Sequence, residues 1–240
     1  GTEWLLMGLV QIAVLLLVLR PLERWRPVEP MRDRKAVRAD IIYTLFQRLG
    51  FFPLLMFFTL QPLIDEIRAA GGQAHGFASD ARKEEEVVKL VDDIEREVAP
   101  IDVLVFNIGA NVPCSILDET ARKYFKIWEM ACFSGFLAGR EVAKRMVTRG
   151  RGTILFTGAT AGMRGSANFA AFAGAKHALR ALAQSMAREL GPKGIHVAHV
   201  VVDGAIDTDF IRDNFPDRYA LKDKDGILNP DHIAENYWHL

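Results

Sequence analysis

The sequence predicts an α/β protein, a parallel sheet with crossover helices, preceded by two apolar helices. Three observations predict it. From residue 64 onward helical and strand-like stretches alternate, the rhythm of a parallel sheet joined by helices. The strand-like stretches are short continuous apolar runs bounded by Gly, Asn and Asp, as strands covered on both faces read. Residues 1–63 hold nearly all the dense apolar runs of the chain.

The apolar segment comes first. "WLLMGLVQIAVLLLVL" (4–19) is sixteen residues with one Gln and no charge, slightly short of the roughly 20 needed to span a bilayer. "LGFFPLLMFFTLQPLI" (49–64) is as apolar and contains Pro53. Between them lies "RPLERWRPVEPMRDRKAVRAD", with seven Lys/Arg against four Asp/Glu, and Trp25 and Tyr43 stand near the run ends, as interfacial aromatics do. This pattern predicts two membrane-inserted helices joined by a basic cytoplasmic loop. A signal peptide fits less well, since no Lys/Arg region precedes the first run; a pair of buried core helices is the other alternative.

Elements of the α/β part follow in order. "IDEIRAAGG" is a helix end stopped by Gly71 and Gly72, and "AHGFASD" (74–80) a short strand. "KEEEVVKLVDDIEREV" (83–98) is a charged amphipathic helix, and "IDVLVFNIG" (101–109) a buried strand. Residues 118–147 form a long helix with small residues in its middle, and "GTILFTGAT" (152–160) the next strand. An Ala-rich helix beginning in "NFAAFAGAKHALRA" runs to about Leu190, where "GPKG" supplies Gly and Pro stops. "IHVAHVVVDG" (195–204) is another buried strand, and "NPDHIAENYWHL" a late helix.

Bulk composition excludes some functions. With 30 basic and 30 acidic residues the net charge is zero, which argues against nucleic acid as a partner. Cys114 and Cys132 are too few for a disulfide framework, and no CxxC suggests a zinc site. The histidines are His75, His177, His196, His199, His232 and His239; none forms an HxxxH or HxxHH cluster, so no metal site is predicted. His196 and His199, three apart on one strand, point to opposite faces and are read as structural.

The order and spacing of "DVLVFNIGA", "GTILFTGATAG", "AFAGAKHALRALAQSMARELGPKGIHV" and "GAIDT" resemble a short-chain dehydrogenase/reductase over about residues 63–240. The resemblance implies a Rossmann-type sheet, NAD or NADP as cofactor, and hydride transfer between nicotinamide and a carbonyl or alcohol. It also implies a catalytic tetrad of Asn, Ser, Tyr and Lys, in which the Tyr hydroxyl is the general acid–base and the Lys ammonium lowers its pKa. Matched residue by residue, Lys176 is present, Phe172 stands where Tyr belongs, Ala159 replaces Ser and Cys132 replaces Asn. None of Tyr43, Tyr124, Tyr219 and Tyr237 has a Lys four residues on, and Thr160, the nearest hydroxyl to the lost Ser, follows it by one. Losing a general acid typically slows a reaction ~10²–10⁴-fold, roughly 3–5 kcal/mol.

For the cofactor, the resemblance assigns Asp80 to the adenine, Asn107 and Gly109 to the turn beside the cofactor, Lys176 to the ribose, and Ile206 and Thr208 to the carboxamide loop. Two of these have other readings: Asp80 as a helix N-cap and Lys176 as a solvent-facing helix lysine. The family's TGxxxGxG turn does not occur before residue 101, so the sheet is expected to lack its first βαβ unit and cofactor binding is in doubt. "RPLERWRPVEP" and "RADIIYTLFQRLGFFPLLMFFTLQPLID" resemble the amino-terminal membrane region of the sterol desaturase / fatty acid hydroxylase family. The expected organisation is a membrane-associated helical segment, 1–63, and a partial dehydrogenase-like domain, 64–240.

Three functional readings follow: a divergent oxidoreductase acting on a small-molecule or lipid-like substrate, a catalytically inactive membrane-anchored scaffold or binding protein, and a chimera joined near "LQPLID". The expected location is the bacterial inner membrane, or the cytoplasm if the apolar runs do not insert. The dehydrogenase resemblance also implies a homo-oligomer, a helix-pair dimer that the small residues in both long helices would suit.

Overall fold

The computed structural model describes residues 51–240, with side chains described from residue 60 onward. The chain divides into two units, Gly1–Ala78 and Ser79–Leu240. In the first, helix α1 spans Phe51–Ala69. It ends because Gly71 takes a left-handed conformation at φ 86°, and the Gly72 amide turns back to the Ile67 carbonyl at 3.0 Å. The run 4–19 lies outside the described residues. The second run falls in α1, whose final turns carry Asp65, Glu66 and Arg68. Among the described residues no helix is long and apolar enough to cross a membrane, so the expected membrane-type helix is not borne out there.

The second unit is built on three parallel strands in the order β1–β2–β3: Val103–Phe106, Gly152–Ala159 and Ile195–Val202. Its register pairs Phe106 with Phe156 and Phe156 with His199. Helix α2 (Glu84–Glu97) precedes β1, α3 (Ala121–Trp128) and α4 (Ser134–Arg149) cross from β1 to β2, and α5 (Ala170–Leu190) crosses from β2 to β3. Smaller helices follow β3: α6 (Asp209–Asn214), α7 (Pro216–Tyr219) and α8 (Pro230–Trp238).

Strand alternation decides which residues form the core. Phe106, Ile154, Phe156, Ile195 and Val197 share one cluster with Val142 and Met146 of α4 and Leu179, Ala183 and Leu190 of α5. The α4–α5 crossing is close: a Cβ on Gly135 would stand 2.7 Å from the Leu179 side chain and 3.0 Å from Phe106. Ion pairs join α4 to α2 along their outer edges, Arg140 to Glu84 at 2.5 Å, Arg149 to Glu95 at 2.7 Å, and Arg145 to Asp92. Gly150, at φ 67°, closes α4.

Three expectations need correction. Residues 74–80 form no strand, because a strand exists only against a neighbour and none among the described residues pairs with them. β1 is not buried throughout: Val103 and Val105 are 55% and 48% exposed. Among the described residues it pairs on one side only, with β2, and Val103 and Val105 alternate with the less exposed Leu104 and Phe106. The long helix starts at Ala121, with the Thr120 hydroxyl accepting from the Lys123 amide. It is interrupted by a π-helical turn, Glu129–Phe133, so α3 and α4 are its two parts. His196 and His199 do face opposite ways: His196 is exposed, while the His199 ring lies where a Cβ on Gly158 would go.

Candidate active site

The candidate site lies at the carboxy-terminal end of β2 and the first turns of α5, where open α/β sheets place their ligands. β2 ends at Ala159 and a tight 3₁₀ turn, Thr160–Gly162, follows before α5 begins. The i, i+4 spacing puts Phe172 and Lys176 on one face of α5. Phe172, 8% exposed, packs with Ile127 and Ala171, and with Ala110, Ala159 and Ala161. The positions matched to Tyr and Ser therefore do meet, but as two apolar groups.

Lys176 is not the solvent-facing lysine that one reading allowed. It is 4% exposed, and its Nζ donates to the Thr157 carbonyl at 2.8 Å and the Ile108 carbonyl at 3.3 Å. The same Nζ stands 5.8 Å from the Phe172 ring centroid. No carboxylate among the described residues pairs with it, so burial pushes its pKa down to about 8. Cys132, in the π-helical turn, packs with Ala131 and Ala175. Burial pushes its thiol up, and the Lys176 charge pulls it partly back. A buried thiol of this kind is inert. Gly109 joins the group from the loop after β1, since a Cβ there would stand 3.8 Å from Lys176 Nζ and 3.9 Å from the Phe172 ring.

The other residues assigned to a cofactor are placed differently. Asp80 does not cap α2, whose N-cap is Lys83; its carboxylate accepts from the Arg82 guanidinium at 2.7 and 2.8 Å, which holds it below the usual carboxylate range. Asn107 is exposed directly after β1. Ile206 forms a parallel bridge with Leu228, and Thr208 caps α6 by accepting from the Ile211 amide at 3.3 Å. None of Asp80, Ile206 and Thr208 is among the hydrogen-bond partners of Lys176, which are the Ile108 and Thr157 carbonyls.

Three arrangements at the site were not foreseen from the sequence, although Thr160 and His199 were named in it. Thr160 Oγ1 donates to Asp203 at 2.5 Å, joining the ends of β2 and β3; the Asp-Gly pair at 203–204 was the available signal. Thr157 Oγ1 and the Tyr237 hydroxyl of α8 lie 2.6 Å apart. The Nε2 of His199 is buried without a hydrogen-bond partner among the described residues. Burial, Arg180 and Lys176 together lower its pKa, so the ring is held neutral.

These residues fit one end of a dinucleotide only. Gly109 leaves room beside Lys176, and the ammonium has three donors for two carbonyl acceptors. Nothing among the described residues supplies a glycine-rich turn opening a helix for the pyrophosphate.

Comparison with known proteins places this arrangement. A family model described as "short chain dehydrogenase" matches residues 56–218. A short-chain dehydrogenase from Rhodopseudomonas palustris is 49% identical with a TM-score of 0.57, covering 67% of this chain and 74% of that one. A short-chain type dehydrogenase/reductase from Mycobacterium marinum is 27% identical with a TM-score of 0.68, covering 75% and 73%. The 7alpha-hydroxysteroid dehydrogenase of Escherichia coli K12 is 32% identical over 150 residues, 62% of this chain and 58% of that protein. A short-chain dehydrogenase/reductase of Armillaria gallica is 33% identical, with 51% of its length matched, so the chain spans just over half the length of these curated relatives.

Proposed function

The chain belongs to the short chain dehydrogenase family, and from that premise we propose that it is an NAD(P)-dependent oxidoreductase by descent whose proton-transfer groups have been replaced. One observation carries the reading: the family's lysine is buried in register on α5, while the two positions beside it, Phe172 and Ala159, carry no hydroxyl. When bound, a nicotinamide supplies or accepts hydride. The residues of this chain then have holding roles, Lys176 toward the ribose and the backbone at Ile206 and Thr208 toward the carboxamide. Phe172 excludes water from the reacting face and donates no proton.

The second reading, a catalytically inactive binding protein, is favoured by the engagement of Lys176 Nζ with two carbonyls. Binding and repair separate the two. We expect NADPH or NADH at micromolar to millimolar concentration to raise the melting temperature, and F172Y/A159S to gain carbonyl reductase activity about 10²-fold or more over the parent. No cofactor binding at these concentrations sinks the oxidoreductase reading. Binding without any gain from the repaired pair sinks the assignment of Phe172 and Ala159.

A further inference from the structure

An open groove of about 320 Å³ runs beside α3, separate from the buried Lys176 nitrogen. Its size is at the lower end of small-molecule sites, about 300–1,000 Å³. The floor is apolar, made by Ala110, Val112, Ile127 and Met130. Its rim is cationic: Arg122, Lys123 and Lys126 all line it.

These three cations are not equivalent. Lys123 lies 4.0 Å from Glu119, whose side chain is 5% exposed, so that charge is already matched. Arg122 and Lys126 are exposed, and neither makes an ion pair or hydrogen bond among the described residues. They stand at i, i+4 on α3, one above the other on the same face, where like charges repel and weaken a helix. Two unmatched cations over an apolar floor are complementary to one class of ligand. Neither the Lys176 cluster nor the core uses them. The floor nevertheless touches the candidate site, since Ala110 and Ile127 also pack around Phe172.

We propose that this groove binds a small amphipathic anion, an apolar skeleton lying on Ala110, Val112, Ile127 and Met130 with its carboxylate between Arg122 and Lys126. Binding of this kind requires neither cofactor nor turnover, so the proposal stands apart from the oxidoreductase reading. The neutral alcohol of the same skeleton loses the rim contact, and a short carboxylate loses the floor.

Isothermal titration of the full chain with decanoate below its micelle concentration, without cofactor, tests it. One saturable site is expected, weakened at least tenfold in R122Q/K126Q and in V112D, which places a negative charge on the floor at a residue already 44% exposed. Decan-1-ol is expected to bind at least tenfold more weakly than decanoate, and acetate not to compete. All three changed positions are exposed, and an unchanged circular dichroism spectrum checks that each variant folds. The proposal is overturned if decanoate does not bind, if both variants bind it like the parent, or if acetate displaces it at equal concentration.

Discussion

The two ends of α5 are buried to nearly the same depth against the same strand, yet they hold opposite kinds of chemistry. Toward its carboxy terminus, Leu179, Ala183 and Leu190 meet Ile154 and Phe156 in an entirely apolar cluster. Toward its amino terminus, Phe172 and Lys176 meet the end of β2, and a lysine 4% exposed sits there with carbonyls as its hydrogen-bonding partners. Burial at the first end stabilises the fold, at ~1.5–3 kcal/mol for each large apolar side chain. Burial at the second end opposes it, since an ammonium leaves water without a counter-charge. The scaffold and the site thus obey different rules within one helix, and each end can be perturbed separately.

The largest expected effect is at the apolar end. Leu179 is fully buried, and its side chain fills the place that Gly135 leaves open on α4. Truncation leaves a cavity between two rigid helices that can collapse little, so Leu179→Ala is expected to cost about 3–5 kcal/mol. Urea unfolding of the variant measures this as a drop in midpoint. A loss below about 1 kcal/mol would show that this end is not the tight core the geometry describes.

The opposite sign is expected at Lys176. Its pKa falls from an ordinary 10.5 to about 8 in the folded chain, a folding penalty of up to about 3 kcal/mol at pH 7. Lys176→Met removes that penalty and two hydrogen bonds to carbonyls, worth roughly 1 kcal/mol each, so a net gain of about 1–2 kcal/mol is expected at pH 7. The sign with pH follows from which state holds the proton. Below about 8 both states hold it and the penalty is complete. Between about 8 and 10.5 the unfolded chain still holds the proton that the folded chain has released, so the parent gains stability as pH rises. The advantage of Lys176→Met should therefore shrink between pH 8 and 10. An advantage that stays constant over that window would mean that Lys176 is not the desolvated group described.

This contrast also marks how far the sequence could be read. The helices α2 and α5 and the strands β2 and β3 were legible to within a few residues, because the helices carry a clear apolar period and the strands are apolar runs bounded by Gly or Asp, whereas the break between α3 and α4 was not read. Phe172 and Lys176 could be placed on one helix face from spacing alone. That Lys176 turns inward could not, because the acceptors are the backbone carbonyls of Ile108 and Thr157, and carbonyls are common to every sequence. The strand expected at 74–80 failed for a related reason: composition gives strand propensity, but a strand is made by its partner. The rim of Arg122 and Lys126 was read simply as part of a long helix, since nothing in the local sequence says that these two cations form no ion pair.

The smallest expected effect tests whether the polar end of this contrast is one network or two separate bonds. Thr157 serves both: its carbonyl accepts from Lys176, while its Oγ1 meets the Tyr237 hydroxyl at 2.6 Å. Strand alternation sends that side chain away from the helix layer, so the carbonyl and the hydroxyl work on different surroundings. Tyr237→Phe removes the hydroxyl partner and keeps the ring, and should cost about 0.5–1.5 kcal/mol, the net worth of one neutral hydrogen bond. The gain in stability between pH 8 and 10 should survive unchanged, because Lys176 keeps both of its carbonyls. Thermal melts of Tyr237→Phe at pH 7 and pH 10 make the measurement. If the variant loses the pH-dependent gain, Thr157 couples α8 to the buried ammonium, and the polar end of α5 is held by one network reaching through β2.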